Sequence, residues 1–436
     1  MADTEPPVTT RQAQRTVHPH LVSPRLRWQI FAVTWIAYAG FYFVRQAFSV
    51  AKLGILDDPV LSHTLSERVL GVIDAVYLAA YAVGQFVWGA WSDRFGPRVV
   101  VLTGMVGAIG AGLLMGASSA LLVFGGAMIV QGLAQSAGWA PLCKNMGAFF
   151  PVAARGRVLG FWSTNYAFGG LAAPPFLGWL AYSVFDSWHA AFFCGAATLA
   201  AVLVLFVLFQ RDAPAADGET ARRAQATAER PRRGGLALYR KTLSDPAVRT
   251  LGAAYFLLKP ARYAILLWGP VLVSQRLPQV DKVAATVIPV AFGAAGVIAP
   301  IAVGWVSDRL FQSRRVPACV LSLALLTVVL ALFMPLTATD SVGVMVALLA
   351  VIGLAVYAAD SMISCVAAVD FGSEEGAGTA AGLVNGCGSV GAILGGLLPG
   401  FLPGSALFLL FSVAAALAGA VMIPHWNRRP RTAATQ

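Results

Sequence analysis

Apolar residues recur along this chain in blocks of about twenty, separated by short polar stretches. A helix of that length crosses the hydrocarbon core of a bilayer. Twelve such helices are expected, at roughly 28–50, 69–91, 98–118, 121–146, 157–182, 188–209, 250–273, 283–306, 316–336, 342–367, 377–400 and 405–425. Residues 210–249 break the rhythm with a polar run rich in Ala, Arg and Gly, which predicts a linker. The expected organisation is an all-α membrane protein: a tail (1–27), a six-helix bundle (28–209), the cytosolic linker (210–249), a second six-helix bundle (250–425) and a second tail (426–436). Within the linker, Leu236 to Leu243 has the composition of a short interfacial helix.

Composition agrees with this pattern: 58% of residues are hydrophobic and 12% charged, against about 25% charged in soluble proteins. The net charge of +11 invites a nucleic-acid reading, but its distribution removes that. The loops on one side carry Lys52, Arg68, Arg276 and Lys282 and almost no other base. Those on the other side carry Arg94, Arg98, Arg155, Arg157, Arg309, Arg314, Arg315 and Arg428, among others. This asymmetry predicts an inner (plasma) membrane protein with both termini cytoplasmic, and membrane lipid rather than nucleic acid as its surroundings. The five cysteines lie in or beside apolar segments without metal spacing. The five histidines lie in tails, loops or span ends. No phosphate-binding GxxxxGK[ST] loop exists, so ATP-driven transport is not expected. No metal, no cofactor and no catalytic constellation is predicted, and the chain is not expected to be an enzyme.

The two halves repeat. Gly89-Ala90-Trp91-Ser92-Asp93-Arg94 follows the second predicted span, and Gly304-Trp305-Val306-Ser307-Asp308-Arg309 follows the eighth. In each, the glycine would permit close helix approach. Asp93, Arg94, Asp308 and Arg309 could pair across the cytosolic mouth and latch one conformation. This duplicated turn resembles the signature of the major facilitator superfamily. The resemblance implies two pseudo-symmetric bundles, a site near the midplane between them, and alternating access by rocking of the halves.

Charges inside the spans mark candidate sites. Tyr38, Tyr42 and Arg45 share one face of the first helix. Counted from Trp28, Arg45 lies roughly 26 Å along. That position allows it to snorkel to the headgroups, whereas a tilted or longer helix would bring it inward. In the seventh span Lys259 and Arg262 stand one turn apart, and Arg262 is the positional counterpart of Arg45. Two arginines facing one cleft would repel unless an anion bridges them, and a phosphate accepts two guanidinium forks. The alternative is that each cation pairs with an acid of its own bundle, with Asp74 and Asp360 available.

Tyr38-x-x-x-Tyr42-x-x-Arg45 and Arg262-Tyr263-x-x-x-x-Trp268-x-Pro270 resemble the organophosphate:phosphate antiporter branch of that superfamily. Tyr81, Gln135-x-x-Gly138-Trp139-x-Pro141, Trp162, Gly169-Gly170 and Ala377 to Gly382 extend the resemblance over nearly all spans. It implies that Arg45 and Arg262 grip phosphate from opposite halves, and that the partners are a small phosphorylated anion and inorganic phosphate. A monomer is expected. The chain departs from glycerol-3-phosphate transporters at Gln85, where they carry a lysine, and at Tyr166, where they carry a histidine. Lys259 is an added cation. In the tenth span Ala358-Ala359 replaces a Gly-Pro.

Asp360, with Tyr357 and Ser364 on its face, could partner Lys259 or carry a coupling proton. Asn385 stacks with Ser389, and Asp74, Tyr77, Tyr81 and Gln85 share a face of the second span. The substrate-binding set is therefore expected to be Arg45, Arg262, Tyr38, Tyr42, Lys259, Tyr81, Tyr166, Asp360, Asn385 and Gln135. Two further readings stay open: a proton-coupled symporter of a phosphonate or carboxylate, and a non-transporting sugar-phosphate sensor of the same fold.

Overall fold

The computed structural model describes residues 23–150, 158, 161–162, 164–212, 240, 242–312, 314–367 and 377–427. Most of the predicted linker, including Leu236 to Tyr239, lies outside the described residues. Helix α1 (Pro24–Asp57) starts where the Ser23 hydroxyl accepts from the Leu26 amide and Pro24 occupies the first turn, a position that needs no backbone donor. It continues through α2 (Glu67–Phe95), α3 (Pro97–Ala117), α4 (Leu121–Ser136, resumed as Trp139–Phe149), α5 (Thr164–Trp179) and α6 (Trp188–Phe209). The second set is α7 (Pro246–Arg276), α8 (Val290–Leu310, preceded by Lys282–Val287), α9 (Arg315–Leu336), α10 (Val342–Ser361), α11 (Ala377–Leu397) and α12 (Gly404–Met422). Asp245 caps α7, accepting from the Ala247 amide at 2.9 Å.

Among the described residues nine helices are long and apolar enough to cross a membrane. The remaining three are α1, α2 and α5. The first two carry Arg45, Lys52 and Asp74 into the interior. The third is a 16-residue α-helix holding Pro174 and Pro175 that passes into a π-helical turn, Leu180–Val184.

Packing repeats between the halves. Helix α1 lies against α5 and α6, as α7 does against α11 and α12; α2 packs on α4 as α8 does on α10. Between the halves, α2 meets α11, α5 meets α8, and α1 meets α7. Each of these contacts maps onto its partner under exchange of the halves, so the packing has an approximate two-fold symmetry. The result is the twelve-helix, two-bundle fold.

The bundles touch at the end bearing the α1–α2 connection. A Cβ on Gly71 of α2 would lie 2.8 Å from the Leu397 carbonyl oxygen of α11. Gln275 donates to Glu67 at 2.7 Å, and Lys282 pairs with Asp57 at 2.7 Å. The glycine-rich run in α11 works as close packing: Gly391 and Gly395 admit the α7 backbone, and Gly396 and Gly400 admit α2. Toward the opposite end, Gly382 and Gly386 of α11 have no described neighbour within 4 Å of where a Cβ would stand. The cleft is closed at the first end and open at the second.

Candidate functional site

The helix containing Arg45 is longer than its apolar block suggests. It runs 34 residues, four earlier and seven later than predicted, because its first charged C-terminal residue, Lys52, is buried rather than in a loop. Arg45 therefore sits about 7 Å past the helix midpoint, and Arg262 is next to the midpoint of α7. The snorkelling reading is overturned. The Arg45 guanidinium turns inward, donates through Nε to Gln135 Oε1 at 2.7 Å, and lies over the rings of Tyr42 and Tyr81, 4.6 and 5.1 Å from their centroids. The same Gln135 oxygen accepts from the Tyr77 hydroxyl at 2.9 Å. These contacts orient the guanidinium through neutral groups and cation–π attraction, and its charge meets no carboxylate among the contacts seen.

Arg262 is held differently. Its Nη1 meets Asp360 Oδ2 at 2.9 Å, and its Cζ lies 4.7 Å from the Tyr357 ring centroid. Lys259 Nζ approaches Asp360 Oδ1 at 3.1 Å, and the Tyr255 hydroxyl donates to that oxygen at 3.0 Å. One carboxylate thus engages two cations and a phenol. Lys259 also lies over the rings of Tyr255 and Tyr263. Asp360 comes at the end of α10, immediately before a π-helical segment, Met362–Ala367. The alternative that cations pair within their own bundle is realised for Arg262 and not for Arg45.

Tyr42 links the two sides: its ring lies under the Arg45 guanidinium, and it lines the same cavity as Arg262. A cavity of about 40 Å³ is lined by Tyr42, Gln46, Tyr166, Arg262 and Tyr357 together with apolar residues of α5, α7 and α8, and Arg45 reaches its wall through the Tyr42 ring that it covers. Nη2 of Arg45 and Nε of Arg262 are buried and have no hydrogen-bond partner among the described residues. A buried charged donor left unpaired is costly.

The other expected residues divide. Tyr38 is buried against Tyr42, Trp139 and Trp162, and forms an aromatic floor behind Arg45. Tyr166 lines the cavity. Asn385 is exposed on α11 and donates to the Ser364 carbonyl at 3.5 Å, which does not bring it to the arginines. Asp308 pairs with Arg315 of its own half at 2.6 Å, and Arg309 stacks on Trp305. Arg94 lies against the Phe95 ring, and the Asp93 side chain is outside the described residues. Gly304 does not serve a close helix approach here, since a Cβ on it would meet nothing within 4 Å.

Sequence reasoning missed several buried polar residues. Lys52, read as a loop residue, is fully buried and forms an ion pair with Asp74, also fully buried. It further donates to the Leu267 carbonyl of α7 at 3.1 Å and lies 4.1 Å from the Trp268 ring centroid. Trp268 in turn donates to the Gly396 carbonyl at 3.0 Å. Asp74, expected only as an available acid on the face of Tyr77, Tyr81 and Gln85, is part of the seal over the closed end. Buried Gln46, Gln131 and Asn165 were also unremarked. Their only sequence signal is an amide in an apolar block.

The profile of the Major Facilitator Superfamily matches residues 30–396. The glycerol-3-phosphate transporter of Bacillus subtilis (strain 168) is 28% identical over 84% of this chain and 84% of its own. The membrane sensor protein UhpC of Escherichia coli (strain K12) is 29% identical over 93% of this chain and 94% of its own. The phosphoglycerate transporter protein of Salmonella typhimurium (strain LT2) is 26% identical over 74% and 72%. Among solved structures, a bacterial homolog to the human lysosomal transporter Spinster, inward-facing and occupied, superposes with a TM-score of 0.69 at 14% identity. That match covers 92% of this chain and 95% of that one.

Proposed function

Given that the chain belongs to the Major Facilitator Superfamily, we propose that it is a secondary transporter of a small phosphorylated organic anion. The substrate is of the sugar-phosphate, glycerol-phosphate or phosphoglycerate type, exchanged for inorganic phosphate. The observation that carries this reading is the pair of buried, unpartnered donors, Arg45 Nη2 and Arg262 Nε, which belong to opposite halves. A phosphate accepting from both arginines cancels their repulsion and bonds each half at once. Tyr42, Tyr81, Tyr166 and Gln135 shape and orient the clamp, with Tyr38 behind them, and Lys259 and Asp360 adjust its charge. The relatives named for glycerol-3-phosphate and phosphoglycerate transport support the substrate class.

The moving bodies are the helices of 28–209 and 250–425, joined by the linker 210–249. The bias of Arg and Lys toward the loops of one side supports a plasma-membrane protein with both tails in the cytosol. On that orientation the open end of the cleft faces the cytosol, and the reading is of an inward-facing state. Empty arginines in a closed cleft would repel, which disfavours reorientation without an anion and favours exchange over uniport. The protein functions as a monomer in this reading, with lipid around its outer helices.

The test is counterflow in proteoliposomes. Labelled glycerol 3-phosphate should enter faster into vesicles loaded with inorganic phosphate than into empty ones, and a protonophore should leave the rate unchanged. Uptake that collapses with the protonophore and ignores internal phosphate would instead indicate proton symport. The similarity to UhpC supports a second reading, a sensor with the same clamp. It would bind the same anions and show no counterflow.

A further inference from the structure

Asp360 is the shared counter-ion of Lys259 and Arg262. It contacts Lys259 Nζ at 3.1 Å and Arg262 Nη1 at 2.9 Å, accepts from Tyr255 at 3.0 Å, and its side chain is 14% exposed. Arg45 has no such counter-ion in its contacts and rests on Gln135 and two tyrosine rings. Three cations and one carboxylate leave this space with two net positive charges. The neighbouring Lys52–Asp74 pair cancels itself and adds none.

We propose that Asp360 sets the charge selectivity of the site, holding its net charge at two so that a dianionic phosphate is matched and a trianion is disfavoured. The proposal rests on reading Arg45 and Arg262 as the phosphate ligands. A phosphate monoester near neutral pH carries close to two negative charges, because its second pKa is about 6. Bound between Arg45 and Arg262, it neutralises the space. A phosphoglycerate brings a carboxylate as well, and its third charge would lie beside Asp360 with no cation left to meet it. Lys259 cannot serve that third charge while Asp360 holds it. Asp360 also occupies one arm of the Arg262 fork and leaves Nε for the ligand. It therefore governs both how many charges are available and which guanidinium edge is presented. Like-charge contacts at short range in a low-dielectric site are strongly unfavourable, so one unit of charge separates two otherwise similar ligands well.

The experiment titrates the purified full chain in detergent at pH 7.5 with two probes, glycerol 3-phosphate as dianion and 3-phosphoglycerate as trianion. The ratio of their dissociation constants is the readout. Wild-type protein should prefer the dianion. D360N raises the net charge by one and should move the ratio toward the trianion by about tenfold or more. K259Q lowers it by one and should move the ratio the other way. The K259Q/D360N double variant restores the charge and should return the ratio close to wild type. A purely positional role for Asp360 would weaken both probes together and leave the double variant at least as impaired as D360N. An unmoved ratio in D360N, or a double variant that does not recover it, overturns the proposal while leaving the phosphate clamp standing. Wild-type protein that binds neither probe overturns the clamp and this proposal with it.

Discussion

Lys52 and Asp74 form a fully buried ion pair at the closed end of the cleft, and the same lysine donates to the Leu267 carbonyl of the other half at 3.1 Å. A charged side chain removed from water is tolerated only when paired and hydrogen-bonded. The pair therefore fixes the meeting of α1, α2 and α7. Opening this end would draw Lys52 away from the α7 carbonyl and admit water to both charges.

Removing one partner should be worse than removing both. D74N leaves a buried ammonium without its counter-ion and should lower stability by about 3–5 kcal/mol. Replacing both, as K52M/D74L, should recover much of that loss. Thermal unfolding in detergent checks this, with the order wild type, double variant, D74N expected. A D74N protein melting with wild type would show that the pair contributes nothing.

Gln135 positions Arg45 without neutralising it. Q135A should weaken phosphate binding several-fold through loss of that orienting bond. Q135E should weaken it further, because a carboxylate at 2.7 Å from Arg45 Nε would take the charge meant for the ligand. Competition by phosphate against a labelled substrate separates the two variants. Equal effects would mean that Gln135 matters only as packing.

The open end should be chemically accessible from the cytosol. In a background with the five native cysteines replaced, G386C should react quickly with a membrane-impermeant maleimide in inside-out vesicles. S49C, buried at 2% exposure, should react slowly. G386C labelled faster from the outer face of intact cells would reverse the assigned orientation.

Asp57 and Lys282 meet across the closed end at 2.7 Å. Joining D57C to K282C with a short cleavable thiol cross-linker should abolish counterflow, and cleavage should restore it. Full activity while cross-linked would mean that this end does not open during transport.

The twelve spans were legible because bilayer thickness imposes a block length that composition reveals. The two-bundle repeat was legible because the turn at Asp93 is written again at Asp308. The depth of Arg45 was not. It depended on a helix starting at the Ser23 cap and running without a breaker to Asp57, seven residues beyond the apolar block. Lys52 was misassigned for the same reason. A charge after an apolar run reads as a loop, and the acid that allows it inside stands 22 positions away on another helix. The choice between a bridging anion and an internal acid for Arg262 could not be made from spacing, because Asp360 is brought to it by α7–α10 packing. Gly304 shows the converse case: its motif was clear, yet the contact it would permit is absent from this conformation.

The central claim is that Arg45 and Arg262 hold one phosphate together. It is tested most directly by the affinity of purified protein for inorganic phosphate in wild type, R45Q and R262Q. Each arginine offers a charge-assisted bond, so each single variant should raise the dissociation constant by at least about tenfold. The R45Q/R262Q double variant should bind no phosphate. Wild-type affinity retained in either single variant would contradict the two-sided clamp.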